Sequence, residues 1–190
     1  MTSTPASTFN GCVFLGLSVD GFIARLDGDL AWLIERGTVA GDAGFTPFME
    51  SVDALVMGRG TYDAIADEES WPYLDRPVHV ISATLSADAD PRVIVHAGFD
   101  KAVAALNAAG YRRVYVDGGR TVRSFLNAGL INELTLSRVP VLIGEGITLF
   151  GPLPDDVELE HERTEVLAGG MVQTMYRVVT QEKGSNEHPA

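Results

Sequence analysis

The sequence predicts an α/β domain with a mixed sheet that is parallel in its middle, helices on both faces, and an antiparallel edge from the C-terminal part. Three observations carry this. Several short runs rich in β-branched residues are apolar nearly throughout, as strands covered on both faces are. Segments with helical spacing fall between those runs, and two of the runs pass through glycines straight into a helix. Beyond residue 130 the pattern changes to extended or alternating stretches.

Taken in order, apolar runs place strands at 12–19, 54–57, 78–82, 92–96 and 113–116. A helix is expected from Thr46-Pro47, with Thr46 as N-cap and Pro47 at the first helical position, so that Phe48, Met49 and Val52 share a face. A second begins at Phe99-Asp100, turns Val103 and Leu106 inward and stops at Gly110. The third follows Gly118-Gly119, carries Val122, Phe125 and Leu126, and stops at Gly129. Residues 133–139, 157–166 and 171–180 read as strands, the last two joined through Ala168-Gly169-Gly170 as a hairpin. Residues 1–9 and 182–190 are polar and read as frayed tails, which leaves a single domain at 10–181.

At 190 residues, with 46% hydrophobic and 21% charged, the chain is long enough to bury a full core without a metal or disulfide staple. Its one cysteine, Cys12, excludes an internal disulfide and every multi-cysteine zinc pattern. A formal charge of -12 argues against nucleic acid and anionic membranes as partners, so an anionic ligand must be held by a few placed donors. With no long apolar stretch and a polar start, the expected location is the cytoplasm. His79 and His96 lie inside strands, His161 and His188 in polar surroundings, and no pair has zinc-ligand spacing, so no metal site is expected. Cys12 reads as a small buried hydrophobe.

Three segments can carry chemistry. The run from Val114 through Asp117, Gly118, Gly119, Arg120 and Thr121 takes a strand through two glycines into a helix. Such a junction suits a phosphate, because glycine lets the backbone approach an oxyanion and the first helical amides favour negative charge. A tight turn with no ligand fits equally, since the third glycine of a dinucleotide fingerprint and the Lys-Ser/Thr of a Walker loop are missing. The second strand ends in Gly58, Arg59, Gly60, Thr61 and Tyr62, where Arg59 offers a planar fork and Thr61 a hydroxyl, or Arg59 is simply solvated. Two such turns after two central strands stand where α/β sheets bind ligands. The third segment, 17–33, carries Asp20, Asp27, Asp29 and Trp32; the first two read as turn formers and Asp29 as a helix cap. The glycine-rich run 144–151 joins two C-terminal strands and reads as a turn that could line a pocket.

In this order the motifs SVDGFIA, VMGRGTYDAI, VISATL, VYVDGGRTVRSFL and INELTLSRVPVLIGEGITLFG resemble the dihydrofolate reductase-like superfamily. They are most similar to the group related to the C-terminal reductase domain of the riboflavin-pathway deaminase-reductase. The resemblance spans about 12–180 and implies that superfamily's three-layer fold and an NADPH-dependent reductase in riboflavin biosynthesis or a related pathway. By the same resemblance Gly58, Arg59 and Thr61 hold the 2′-phosphate and pyrophosphate, and Ser82, Ala83 and Thr84 flank the adenine ribose. Gly118, Gly119, Arg120 and Thr121, with Asp117 at the strand end, cradle the pyrophosphate, while Gly16, Ile23 and Ala24 border the nicotinamide. Asp29, three residues before Trp32, has the spacing of the carboxylate of true dihydrofolate reductases and is the expected catalytic residue. Relatives of the riboflavin type often carry an acidic residue where this chain has Ala31. The expected substrate is a small pyrimidine- or pterin-like heterocycle reduced at C=N or C=O, with Arg25, Arg36 and Arg138 as the cations for a substrate phosphate. A homodimer is the family's habit, and the C-terminal strands are the expected interface. Genuine dihydrofolate reduction and a non-catalytic NADP-binding or interaction protein are the alternatives.

Overall fold

The computed structural model describes residues 8–67, 71–73 and 75–179. Among the described residues, ten strands and five α-helices follow the chain as β1 (Asn10–Ser18), β2 (Phe22–Ala24), α1 (Ala31–Ala40), α2 (Phe45–Ser51), β3 (Ala54–Gly58), α3 (Arg59–Asp63), β4 (Val78–Ile81), β5 (Val93–His96), α4 (Phe99–Ala108), β6 (Arg113–Asp117), α5 (Gly119–Asn127), β7 (Ile131–Val139), β8 (Ile147–Thr148), β9 (Leu159–Val166) and β10 (Val172–Val178). Eight of the strands form one sheet in the order β5-β4-β3-β6-β1-β7-β10-β9. The six from β5 to β7 are parallel, and β10 and β9 add antiparallel. The mixed sheet with an antiparallel C-terminal edge is therefore as the sequence predicts.

Strand alternation divides the core between the two faces. Val56 on β3, Val114 and Val116 on β6 and Val13 on β1 point to α4 and α5, where Val103, Leu106, Val122 and Phe125 close one buried cluster. Leu55, Met57 and Tyr115 point the other way and pack with Met49 of α2 and with Val52 just past its end. Next to this second layer, Trp32 of α1 packs with Val139 and Met171. The chain moves outward from β3 to β5 and then returns through α4 to insert β6 between β3 and β1. That reversal opens a crevice at the carboxyl ends of the strands, the ligand-binding position of open α/β sheets.

The structure corrects several details. α2 begins at Phe45 with Gly44 as its N-cap, so Thr46 is a helical residue rather than the cap. The chain arrives through left-handed Ala43 and Gly44 (φ 49° and 83°), which brings Asp42 over the helix start. Asp42 Oδ1 there accepts from Thr46 N at 3.0 Å and from Thr46 Oγ1 at 2.7 Å. Thr8 and Phe9, expected in a frayed tail, dock instead: Phe9 is 3% exposed against Phe125, and Asn107 Oδ1 accepts from Thr8 N. The remaining tail residues and His188 lie outside the described residues. The run 144–151 contains β8, which pairs with β2 in a small second sheet. Strand β9 starts at Leu159, two residues later than expected, and the 168–170 junction does form the β9–β10 hairpin.

Candidate functional site

Because β3 and β6 run parallel with Met57 beside Asp117, their carboxyl ends place Gly58 and Gly118 next to each other. The two glycine turns then interlock. A Cβ at Gly118, which has φ 86°, would stand 2.2 Å from Thr61 Oγ1, and a Cβ at Gly58 would stand 3.1 Å from Thr121 Oγ1. Each threonine thus occupies the space that the glycine of the other turn leaves open. Neither hydroxyl has a hydrogen-bond partner among the described residues, although Thr121 is buried. Val122 N donates to Gly118 O as the first bond of α5, which leaves the preceding amides of that helix free for an anion.

A third wall comes from the small sheet. A Cβ at Gly119 would meet Thr148 O at 2.8 Å and Ile23 Cδ1 at 3.0 Å, so β2 and β8 rest on the α5 turn. Asp20 fastens this flap: its carboxylate accepts from Gly144 N at 2.8 Å and from Ile143 N at 3.2 Å. Asp20 is thus more than the turn former expected: the local turn is closed by Gly21 N donating to Ser18 O at 3.0 Å, while its carboxylate ties down a distant segment. The Ser18 hydroxyl foremost, with those amides, holds its carboxyl below the usual range. Gly16 lies on β1 where Leu33 of α1 makes the close approach, 2.6 Å from a would-be Cβ. Ile23 is half-buried and Ala24 buried.

The cations are arranged unequally. Arg59 Nε lies 2.5 Å from Asp63 Oδ1, whereas exposed Arg120 has no ion pair among the described residues. At the end of β4, Ser82 Oγ accepts from Thr84 N at 3.2 Å and from Leu85 N at 3.0 Å, folding 82–85 into a turn with Ala83 and Thr84 exposed. Arg25 pairs with Asp29 at 3.6 Å and Arg36 with Glu35 at 3.8 Å, while Arg138 is exposed on β7.

Asp29, expected as a helix cap, stands one residue before Leu30, the N-cap of α1; its carboxylate accepts from Ala31 N at 3.1 Å, and its side chain is 42% exposed beside Arg25. The carboxyl with unusual chemistry is Asp117, 8% exposed at the end of β6. Burial pushes it up to about 6, against the pull of the Gly118 amide and the Tyr73 hydroxyl. Tyr73 donates to Asp117 Oδ2 at 3.3 Å, and Tyr115 gives its proton to Phe14 O at 2.9 Å. Half-buried Phe14, Phe45 and Phe48 complete this face, with Phe14 and Phe48 centroids 4.9 Å apart and Phe48 edge-on to Tyr115 at 5.0 Å. The sequence reading placed Asp117 in the phosphate turn and missed it as an acid. The available signal was the Tyr115–Asp117 spacing of two, which puts both on one face of a strand; Tyr73, in the α3–β4 loop, had none.

The RibD C-terminal domain family matches residues 11–173. YwjB of Bacillus subtilis (strain 168), described as uncharacterized, is 30% identical over 168 residues, covering 86% of this chain and 95% of that one. A Shewanella sp. PV-4 crystal structure, described as a candidate riboflavin biosynthesis protein, superposes with TM-score 0.80 at 35% identity, covering 90% of this chain and 100% of the other. The fold is shared further with Enterococcus faecalis dihydrofolate reductase complexed with NADP(H) and RAB-propyl, with TM-score 0.66 at 18% identity over 90% of this chain and 98% of that one. The chain therefore belongs to the RibD C-terminal domain family, a family of reductase domains built on the dihydrofolate reductase-like fold.

Proposed function

We propose that this chain is an NADPH-dependent reductase that reduces C=N or C=O in a small planar heterocycle, pyrimidine- or pterin-like, as in riboflavin-type aminouracil reduction. One observation carries the reading: the interlocked glycine turns present two free threonine hydroxyls and two arginines beside a buried carboxyl that is half-protonated at about pH 6. Free hydroxyls, helix amides and guanidinium groups are the donors a pyrophosphate needs, and an acid at the same strand ends is what a reduction needs to deliver a proton.

In this reading Gly118, Gly119, Arg120 and Thr121 cradle the pyrophosphate, and Gly58, Arg59 and Thr61 take the remaining phosphate oxygens, including the 2′-phosphate. Ser82, Ala83 and Thr84 flank the adenine ribose, and Gly16, Ile23 and Ala24 border the nicotinamide. The bound cofactor supplies the hydride. The chain supplies the rest: Phe14, Phe45 and Phe48 form an apolar wall for a flat ring, and β2 with β8 excludes water from the α5 turn. Asp117 donates the proton. Asp29, exposed and engaged by the Ala31 amide and Arg25, is the weaker candidate for that role. The outer edge of β9, where Leu159 and Val166 are exposed, is the surface for a homodimer.

Titration with NADPH and then NADH, followed by calorimetry and tryptophan quenching, tests the reading. Micromolar NADPH binding preferred over NADH supports it, and no binding of either overturns it. Binding followed by oxidation with dihydrofolate, blocked by methotrexate, would assign dihydrofolate reduction. Binding without turnover on pterins, flavin precursors or carbonyls would leave an NADP-binding protein.

A further inference from the structure

Behind Asp117 runs a chain of contacts that neither the phosphate turns nor the aromatic wall uses. Tyr73 donates to Asp117 Oδ2, and the Tyr73 ring meets Trp71 edge to face, with centroids 5.5 Å apart at 86°. The Arg92 guanidinium lies 4.4 Å over the Trp71 ring. Arg92 is fixed in turn by Asp90, whose Oδ2 lies 2.7 Å from Arg92 NH2, and by the Ala66 carbonyl. Asp90 Oδ2 also accepts from the Tyr62 hydroxyl at 3.0 Å, and Tyr62 belongs to α3, the helix that carries Arg59 and Thr61.

We propose that Trp71, clamped under Arg92, is a positioning residue that holds the Tyr73 hydroxyl on Asp117 and so ties the acid of the cleft to the cofactor-turn helix. The inference rests on the reductase reading only in giving Asp117 a chemical task. Tyr73 is buried, whereas Trp71, its buttress, is only partly buried at the margin of the same cluster. Half-exposed Trp71 and exposed Arg92 line an open groove of about 450 Å³ with Arg76 and Pro77, so Trp71 has room to swing away once its clamp is released. Edge-to-face and cation–π contacts are the forces that keep it in place.

The groups acting on Asp117 are the Gly118 amide, Tyr73 and Tyr115, none of them charged at neutral pH. A bond donated to a carboxylate favours its ionised form, so loss of the Tyr73 bond raises the Asp117 midpoint. Carbon-13 NMR titration of the aspartate carboxyls in the full chain, with Asp117 assigned by the signal missing from Asp117→Asn, reads this without turnover. Tyr73→Phe is expected to raise the midpoint by about one pH unit. Trp71→Leu and Arg92→Met should reproduce most of that rise although neither residue contacts Asp117, and Trp71→Phe, which keeps an aromatic edge, should restore the wild-type value. An unmoved midpoint in folded Trp71→Leu and Arg92→Met proteins overturns the proposal. A shifted midpoint with an unmoved pH–rate profile would uphold the positioning and remove Asp117 as proton donor, so the two readings fail separately.

Discussion

Arg59 reaches solvent with its side chain 43% exposed and its Nε on Asp63, so any phosphate must share it with that carboxylate. A charge-assisted bond contributes about 1.5–3 kcal/mol, and Arg59→Ala should therefore weaken NADPH roughly 10- to 150-fold. NADH affinity should barely change; calorimetric titration with both cofactors checks this, and equal losses would show that Arg59 does not read the 2′-phosphate. Asp29→Asn should leave NADPH turnover within about twofold of wild type, because an amide oxygen can still accept from Ala31 N, whereas Asp117→Asn should abolish the acid-dependent limb of the pH–rate profile. At this scale the sequence showed which residues carry donors, since Arg and Thr beside glycine are informative by type. It did not show partners. Asp63, four residues on, was within reach of pattern reading, but the Thr61–Gly118 contact bridges two turns far apart in sequence.

Each glycine turn is a strand end whose glycine leaves room for the other turn. Gly118→Ala would force a Cβ onto Thr61 Oγ1 at a backbone angle that disfavours side chains, costing roughly 1–2 kcal/mol for the left-handed conformation alone. Thermal melts should show that loss, and NADPH binding should drop by at least tenfold because Thr61 must move. The strands themselves were legible from apolar runs, and the helix after Gly118 from its spacing. The start of α2 was misread because Thr-Pro is a strong local signal, yet left-handed Ala43 and Gly44 turn Asp42 onto the Thr46 amide and start the helix two residues earlier. Asp42→Ala should cost about 1 kcal/mol, the usual worth of a capping side chain; chemical denaturation measures it. The β2–β8 pairing escaped notice because a two-residue strand in a glycine-rich run has no period to read.

Over the whole molecule two buried groups give stability opposite slopes with pH. His79, 3% exposed and stacked on His96 with its Nδ1 2.8 Å from His96 Nε2, is pushed down to about 4 from 6.5 by burial and by its neighbour. As pH falls below 6.5 the unfolded chain takes up a proton that the folded one refuses, so this contribution is lost toward pH 4. Asp117 is raised from 3.8 to about 6. As pH rises from 3.8 the unfolded chain releases a proton that the folded one keeps, so stability falls until pH 6 and stays lower above it. Each shift corresponds to about 3 kcal/mol, and between roughly pH 4 and 6 the two slopes offset one another. Below that window Asp90, held down to about 2 chiefly by Arg92, loses its contribution as it is protonated. The wild-type melting temperature should therefore respond weakly to these two groups from pH 4.5 to 6. Asp117→Asn leaves the His79 slope alone, so its stability relative to wild type should climb as pH rises and level off above about pH 6. His79→Asn should do the reverse, losing its disadvantage as the solution is acidified. Melting curves at half-unit pH steps decide the matter, and parallel curves for wild type and both variants would show that neither group titrates abnormally in the folded chain.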